Sequence, residues 1–339
     1  MTALHRRDVL RLGMFGAATF AATTLAATSC APTVTPTSPA SPVSSAQYRW
    51  GAFIPTVIST AATDHSPIAR LAALAGAQPG YLHRFAAFGD SAPIGEFDAI
   101  SATGATPLLT LEPWVPGAGI VQPQFALSRV AAGAFDDDVR RWASNLRAWG
   151  KPLLLRFAQE MNGTWYPWAV GTNTNTATDY RAAWIRVRSV FADAGAHNVR
   201  FVWSPNVITT GTNDFTDAYP GSSHVDILGL DGYNWGDTSG HQWQSAHDLF
   251  IPSLATLRGL DPDHPILITE VASADAADAD RKARWIRDFV GLVGTQARVD
   301  GFLWFQMDKE RDWRFNSTPQ STLAFHESLA TLLKTGQPG

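Results

Sequence analysis

The chain has 339 residues and a formal net charge of −4, with 45% hydrophobic and 17% charged side chains. That length suits one large domain or two modest ones, and the acidic balance leaves no basic footprint for nucleic acid. Thirteen tryptophans are many for this length; an indole can fill a core, but at strand ends it also offers a flat face to a sugar ring.

In chain order, the first segment is a processing signal outside the fold. His5-Arg6-Arg7-Asp8 sets a paired arginine ahead of Val9 and Leu10, and Met14 to Ala27 is an uncharged stretch of small and apolar residues. It reads as a twin-arginine export signal, too short and too weakly apolar to span a bilayer. Cys30 is the only cysteine, so no internal disulfide can form. Placed after Ala27-Thr28-Ser29, it resembles a bacterial lipoprotein processing site, where the cysteine becomes a lipidated N-terminus; an ordinary signal-peptidase cut that leaves a secreted protein is the alternative. Residues 31–47 are mostly Pro, Ser, Thr and Ala without charge, a spacer that cannot bury enough apolar surface to fold. The predicted organisation is a signal segment at 1–30, a linker at 31–47 and a single domain at 48–336.

From Tyr48 onward, eight short apolar runs predict strands at 50–54, 82–88, 107–111, 152–158, 200–203, 225–230, 266–269 and 301–305. Most are continuous rather than alternating, as in strands buried on both faces of a parallel sheet. Phe135, Val139, Trp142, Leu146 and Trp149 recur at helical spacing around Asp136-Asp137-Asp138, and the pattern stops at Gly150. Further helices are predicted at 178–194, 280–293 and 321–333. Strand and helix alternating over about 290 residues predicts an α/β fold, a single (β/α)8 TIM barrel. The competing open doubly wound sheet usually announces itself with a Gly-rich phosphate turn, and the sequence has none.

In such a barrel the chemistry sits where the strands end. The carboxylates there are Asp90, Glu112, Glu160, Asp231, Glu270 and Asp308. Glu160 closes "LLLRFAQE" and Glu270 closes "PILITE", assigned to the fourth and seventh strands, nearly opposite each other around the barrel. Glycoside hydrolysis needs such a facing pair: one carboxyl protonates the leaving oxygen and the other attacks the anomeric carbon or activates water. The plainer reading of any one of them is a solvated strand end or a partner for a buried arginine. Arg156, and Arg84 in "LHRF", are expected to point towards the mouth and to need acceptors. His224, Asp226, Asp261, Asp263 and His264 lack a compact ligand spacing, so no catalytic metal is expected and no cofactor is implied.

These residues carry a family resemblance. "QEMNGTWYPW", from Gln159 to Trp168, resembles the acid/base segment of glycoside hydrolase family 26, supported by "LEPW" at Leu111 to Trp114, "VDILGLDGYNW" at Val225 to Trp235 and "ITE" at Ile268 to Glu270. The resemblance covers most of the chain from Tyr48 to Leu333. It implies a retaining (β/α)8 endo-glycanase, most often a β-mannanase, with some mixed-linkage β-glucanases and β-1,3-xylanases. Carried over, Glu160 is the acid/base and Glu270 the nucleophile, supported by Tyr233 and Arg84. Glu112, Trp114, Gln159, Asn162, Trp165, Trp168, Tyr233, Trp235 and Trp304 are the implied substrate contacts, with Trp304 as the floor at the cleavage point. The family's mannanases carry histidine just before the acid/base, where Gln159 stands here. Glutamine still donates and accepts hydrogen bonds but does not titrate near neutrality, so β-glucan stands beside β-1,4-mannan as a substrate.

The implied partner is a polysaccharide, with no nucleic acid and with membrane contact only through the lipidated Cys30. A monomer is expected from a chain long enough for its own core, held at the outer face of the cytoplasmic membrane or secreted. Two alternatives remain: an exopolysaccharide hydrolase of the same fold, and a non-hydrolytic glycan-binding lipoprotein.

Overall fold

The computed structural model describes residues 48–58 and 66–335; the predicted signal segment, Cys30 and the linker lie outside them. Among these residues eight strands alternate with α-helices. The first half runs β1 (Arg49–Phe53), α1 (Pro67–Ala75), β2 (Tyr81–Ala87), α2 (Ile94–Ala102), β3 (Thr106–Glu112), α3 (Leu127–Ala131), α4 (Asp136–Trp149) and β4 (Leu153–Phe157). The second runs α5 (Ala177–Asp193), β5 (Val199–Trp203), β6 (Ile227–Asn234), α6 (Ala246–Leu260), β7 (Ile266–Ser273), α7 (Ala279–Val293), β8 (Val299–Phe305) and α8 (Pro319–Thr335). Each strand pairs in parallel with the next and β8 closes on β1, giving the expected (β/α)8 barrel. Closure needs a glycine. A Cβ on Gly301 would lie 2.1 Å from the Arg49 carbonyl oxygen, so a larger residue would push the two closing strands apart.

The helices begin and end where short-range chemistry dictates. Asp136, Asp137 and Asp138 sit in the first turn of α4, facing the positive end of its dipole, and Gly150 ends it in a left-handed conformation. Thr176 and Asp179 cap α5 reciprocally, each accepting from the other's backbone N–H. Along α4 the buried stripe is Val139, Trp142, Ala143 and Leu146, the larger of which stabilise the fold by about 1.5–3 kcal/mol each. The residues 246–260, unassigned by periodicity, form α6 in spite of Pro252 in its interior.

Inside the barrel the lowest layer is apolar: Leu108, Leu154, Val202, Ile227, Leu267 and Leu303. Above it the inward side chains become polar. Two backbone irregularities aim the residues of that upper layer. Leu230 pairs with Ile268 but Asp231 pairs with Glu270, and on the other side Ile268 pairs with Phe302 but Val271 with Trp304. Between Ile268 and Val271, β7 therefore holds one residue more than the neighbour on either side, a bulge at Thr269–Glu270 that turns two consecutive side chains inward. Directly after β4, Ala158 and Glu160 adopt φ of 46° and 52°, a region that residues with a Cβ rarely enter and that marks strain held by the surroundings.

Two predicted strands were too short. β6 and β7 continue past their first carboxylates to Asn234 and Ser273, so Glu270 lies within β7 rather than at its end. Conversely β4 stops at Phe157, and Glu160 is on the turn above it.

Candidate active site

Arg156 organises the polar layer. Its side chain is fully buried; Nε donates to Thr110 Oγ1 (2.7 Å), Nη1 to Asp231 Oδ2 (2.7 Å) and Nη2 to Glu270 Oε1. Burial alone would lower its basicity, but Asp231 and Glu270 outweigh that and keep the guanidinium charged. Asp231 also accepts from Ser204 Oγ (2.9 Å) and Thr269 Oγ1 (2.6 Å); burial pushes its carboxyl up against the pull of Arg156. His83 lies on the opposite flank. Burial, reinforced by Arg156 and Arg84, holds its imidazole well below the usual range, so the ring is neutral. Arg156 Nη2 lies 3.3 Å from His83 Nε2 and can only donate. Nε2 is therefore the acceptor, and the ring proton belongs on Nδ1.

The two glutamates stand above this layer, both nearly buried. Glu270 Oε1 accepts from Arg156 and Oε2 from the Tyr233 hydroxyl. Glu160 Oε1 accepts from Asn206 Nδ2 (2.8 Å) and Oε2 from Trp165 Nε1 (2.6 Å). Each of the four carboxyl oxygens thus has a donor of its own, which fixes both groups in orientation. The Arg156 charge is felt by Glu270 and by Glu160, so one cation lies within the field of both.

A second polar cluster adjoins the turn that carries Glu160. Glu112, at the end of β3, accepts from Gln159 Nε2 (2.8 Å) and Trp114 Nε1 (2.9 Å). Burial pushes its carboxyl up to about 7, although both of these hydrogen bonds pull the other way. Trp168 donates to the Gln159 carbonyl (2.7 Å), stacks on Tyr166 (4.3 Å between centroids) and meets Trp114 edge-on (5.5 Å). The aromatic run after Glu160 therefore divides: Trp165 is half-buried and reaches the Glu160 carboxyl, while Trp168 packs beneath the turn and supports it.

Trp168 is therefore not placed to meet a substrate, and three further expected site residues are placed otherwise. Arg84 does not support Glu270: its Nη1 donates to Ile54 O (2.7 Å) and its Nε pairs with Glu96 of α2 (2.6 Å). His83 reaches the inward layer, so strand alternation turns its neighbour Arg84 away; Arg156 meets Glu270 instead. Trp304 is no floor for a sugar. Leu303 belongs to the inner layer, so Trp304 points outward, packs on Phe289 and Phe325, and donates to the Trp313 carbonyl (2.8 Å). Asn162 spends its amide on backbone, donating to Asn206 O (2.9 Å) and Asn213 O (3.0 Å) and accepting from Asn206 N (2.9 Å). It holds Asn206 in place for Glu160.

Asn206 and Trp313 were not anticipated. Asn206 follows β5 in "WSPN", a strand-end amide with no carboxylate to draw attention to it. Trp313 lies in the loop after β8 and packs on Tyr233 (5.2 Å) and Trp235 (5.0 Å). Trp235 itself is half-buried and stacked on His241 at 4.8 Å. Of the remaining strand-end acids, Asp90 accepts from the Ala87 N–H (2.7 Å) and Asp308 pairs at the surface with Arg314 (3.6 Å).

Residues 128–274, which include both glutamates, match the model of glycosyl hydrolase family 26. Among curated proteins, Endoglucanase H of Acetivibrio thermocellus is 35% identical over 238 residues, covering 68% of this chain and 25% of that protein. A mannan endo-1,4-beta-mannosidase of Bacillus subtilis strain 168 is 34% identical over 90 residues, covering 25% of this chain and 24% of that protein. The chain thus spans about a quarter of the length of these two relatives. Bacillus subtilis mannanase man26 superposes with a TM-score of 0.60 at 18% identity, over 84% of this chain and 86% of that one. The catalytic domain of the Bacillus sp. JAMB-750 endo-beta-1,4-mannanase gives 0.65 at 16% identity, over 85% and 86%. At these identities the two structures share the fold.

Proposed function

Since the chain belongs to glycoside hydrolase family 26, we propose that it is a retaining endo-β-glycanase that cuts internal bonds of a β-linked polysaccharide, β-1,4-mannan first among them. The observation that carries the reading is the pair of glutamates at the barrel mouth with every carboxyl oxygen held by its own donor.

In the first step a Glu270 oxygen attacks the anomeric carbon as the glycosidic C–O bond breaks, and the leaving oxygen takes a proton from Glu160. In the second, water gives a proton to Glu160, attacks the same carbon and releases Glu270. Arg156 and Tyr233 hold Glu270 in line for attack, and Asn206 and Trp165 hold Glu160 beside the bond that breaks.

A mixed-linkage β-glucan is the second reading. Two observations favour it: the match to Endoglucanase H runs over 238 residues where that to the Bacillus mannosidase runs over 90, and Gln159 replaces the histidine of the mannanases that the acid/base segment resembles.

The test is turnover on β-mannan, mixed-linkage β-glucan, β-1,3-xylan and bacterial exopolysaccharides. Glu160→Ala should lower kcat by about 10²–10⁴-fold, and Glu270→Ala should abolish turnover. The first product should keep the β configuration. Normal turnover by Glu270→Ala would falsify the nucleophile assignment, and binding without any cleavage by the wild type would leave a glycan-binding module.

A further inference from the structure

The turn that carries Glu160 continues into Asn162-Gly163, the dipeptide in which an asparagine is chemically least secure. In a flexible chain the Gly163 nitrogen, with no side chain to shield it, can reach Asn162 Cγ. A new N–C bond then closes a cyclic imide, and the side-chain nitrogen takes the Gly163 amide proton and leaves as ammonia. Water opens the imide at one carbonyl or the other, giving aspartate or isoaspartate. Two neighbours forbid a safer pair. A Cβ on Gly163 would lie 2.5 Å from the Trp165 ring, the indole that donates to Glu160 Oε2, so a larger residue would displace it. Asn162 uses both ends of its amide, Nδ2 donating to Asn206 O and Asn213 O while Oδ1 accepts from the Asn206 N–H; a carboxylate could not donate and an apolar side chain could do neither.

The fold shields the pair that it requires. Asn162 is 1% exposed, and its three side-chain hydrogen bonds fix Cγ. The attacking nitrogen is occupied as well: the Gly163 N–H donates to Glu160 O (3.0 Å), while Asn162 O accepts from the Asn213 N–H (2.7 Å). Ring closure needs the side chain to leave three partners and the Gly163 nitrogen to leave its own, so it waits until the turn opens or the chain unfolds.

We propose that Asn162-Gly163 is a deamidation site closed by folding, so that time spent unfolded at neutral or alkaline pH converts it and irreversibly disarms Glu160. The site stands apart from the hydrolase reading; the loss of activity rests on it. Aspartate at this position turns a donor into an acceptor opposite Asn206 O and Asn213 O. Isoaspartate adds a methylene to the main chain inside the turn that the Gly163 N–H closes on Glu160 O. Either product unseats Asn206, whose Nδ2 holds Glu160 Oε1 (2.8 Å). A chain converted while unfolded therefore refolds without its positioned acid, and the working lifetime of the protein is set by how often it unfolds.

The test incubates the full chain at mildly alkaline pH, either folded in buffer or unfolded in guanidinium chloride, and maps the tryptic peptide Phe157–Arg181. Fragmentation assigns the mass gain to Asn162 rather than to Asn173 or Asn175, and enzymatic methylation of isoaspartate counts the rearranged product. Conversion should be at least about tenfold slower in the folded chain, by a factor set by how rarely the turn opens. Equal rates in the two arms, or no conversion at Asn162 in the unfolded one, overturn the site. After refolding, the active fraction should follow the fraction with intact Asn162, relative to chains refolded from acidic guanidinium chloride, where the site does not react. Asn162→Asp, which carries one product from the start, should lower kcat by up to about a hundredfold with KM nearly unchanged. Wild-type kcat in Asn162→Asp, or full activity in refolded isoaspartyl chains, overturns the disarming of Glu160. If the wild type cuts no substrate, the hydrolase reading falls and the peptide map alone decides the site.

Discussion

Glu112 carries a proton at a pH where ordinary glutamates have lost it. Its carboxyl is pushed from 4.5 to about 7 by burial, so across that window the folded chain holds a proton that the unfolded chain has released. Stability therefore falls as pH rises from about 4.5 to 7, by up to about 3 kcal/mol in all. Chemical denaturation of wild type and Glu112→Gln at several pH values should show a steeper fall with rising pH in the wild type than in the variant. Equal slopes would mean that Glu112 titrates normally. Individual residues were legible in the sequence to different degrees. Glu160 and Glu270 could be found because a carboxylate at the edge of an apolar strand is conspicuous. Arg84 and Arg156 could not be ranked, because which face an arginine takes depends on strand register, and a one-residue slip reverses it. Trp304 was misplaced for the same reason. Asn206 was missed because its importance lies in the oxygen it donates to, which only the folded chain brings near.

At the scale of elements, α7 does more than cover β7. Its buried Lys282 donates to Asp312 O (2.9 Å), Arg314 O (2.8 Å) and Ser317 Oγ (2.9 Å), and pairs with Asp275 (3.1 Å). The two carbonyls flank Trp313, so the lysine clamps the loop whose ring packs on Tyr233. Lys282→Met should cost about 1–3 kcal/mol for the acceptors left unpaired, measured by denaturant melts. It should also lower kcat/KM as Tyr233 loses its support. Normal kcat/KM in a destabilised variant would separate the clamp from catalysis. The helices with clear apolar stripes, α4, α5, α7 and α8, were readable from their spacing. So was the existence of eight strands, since each is a run buried on both sides. The ends of β6 and β7 were not, because their last residues are polar and the barrel interior there is polar too. The bulge in β7 leaves no mark in composition; it exists only as a mismatch with two neighbours that lie far away in the chain.

The whole molecule brings six separate strand ends to one rim in chain order, so that Glu112, Glu160, Asn206, Tyr233, Glu270 and the loop bearing Trp313 meet although 201 positions separate the first from the last. That convergence follows from closure and could be anticipated from the count of strands alone. The segment ahead of residue 48 is a different matter, legible only as a chemical pattern. We propose that Cys30 is acylated and tethers the barrel to the outer face of the cytoplasmic membrane. Growth of a bacterial host with a labelled fatty acid should mark the full chain and place it with the membranes, and Cys30→Ser should release it unlabelled. A wild type that is unlabelled and free in the medium would make it a secreted protein. Below the catalytic rim, the layer of Leu108, Leu154, Val202, Ile227, Leu267 and Leu303 acts as electrical insulation. It separates the fully buried Arg156 side chain from the solvent beneath the barrel. The field that holds Glu270 is then set by neighbouring protein dipoles and charges, largely beyond the screening that the surrounding electrolyte exerts on exposed charges.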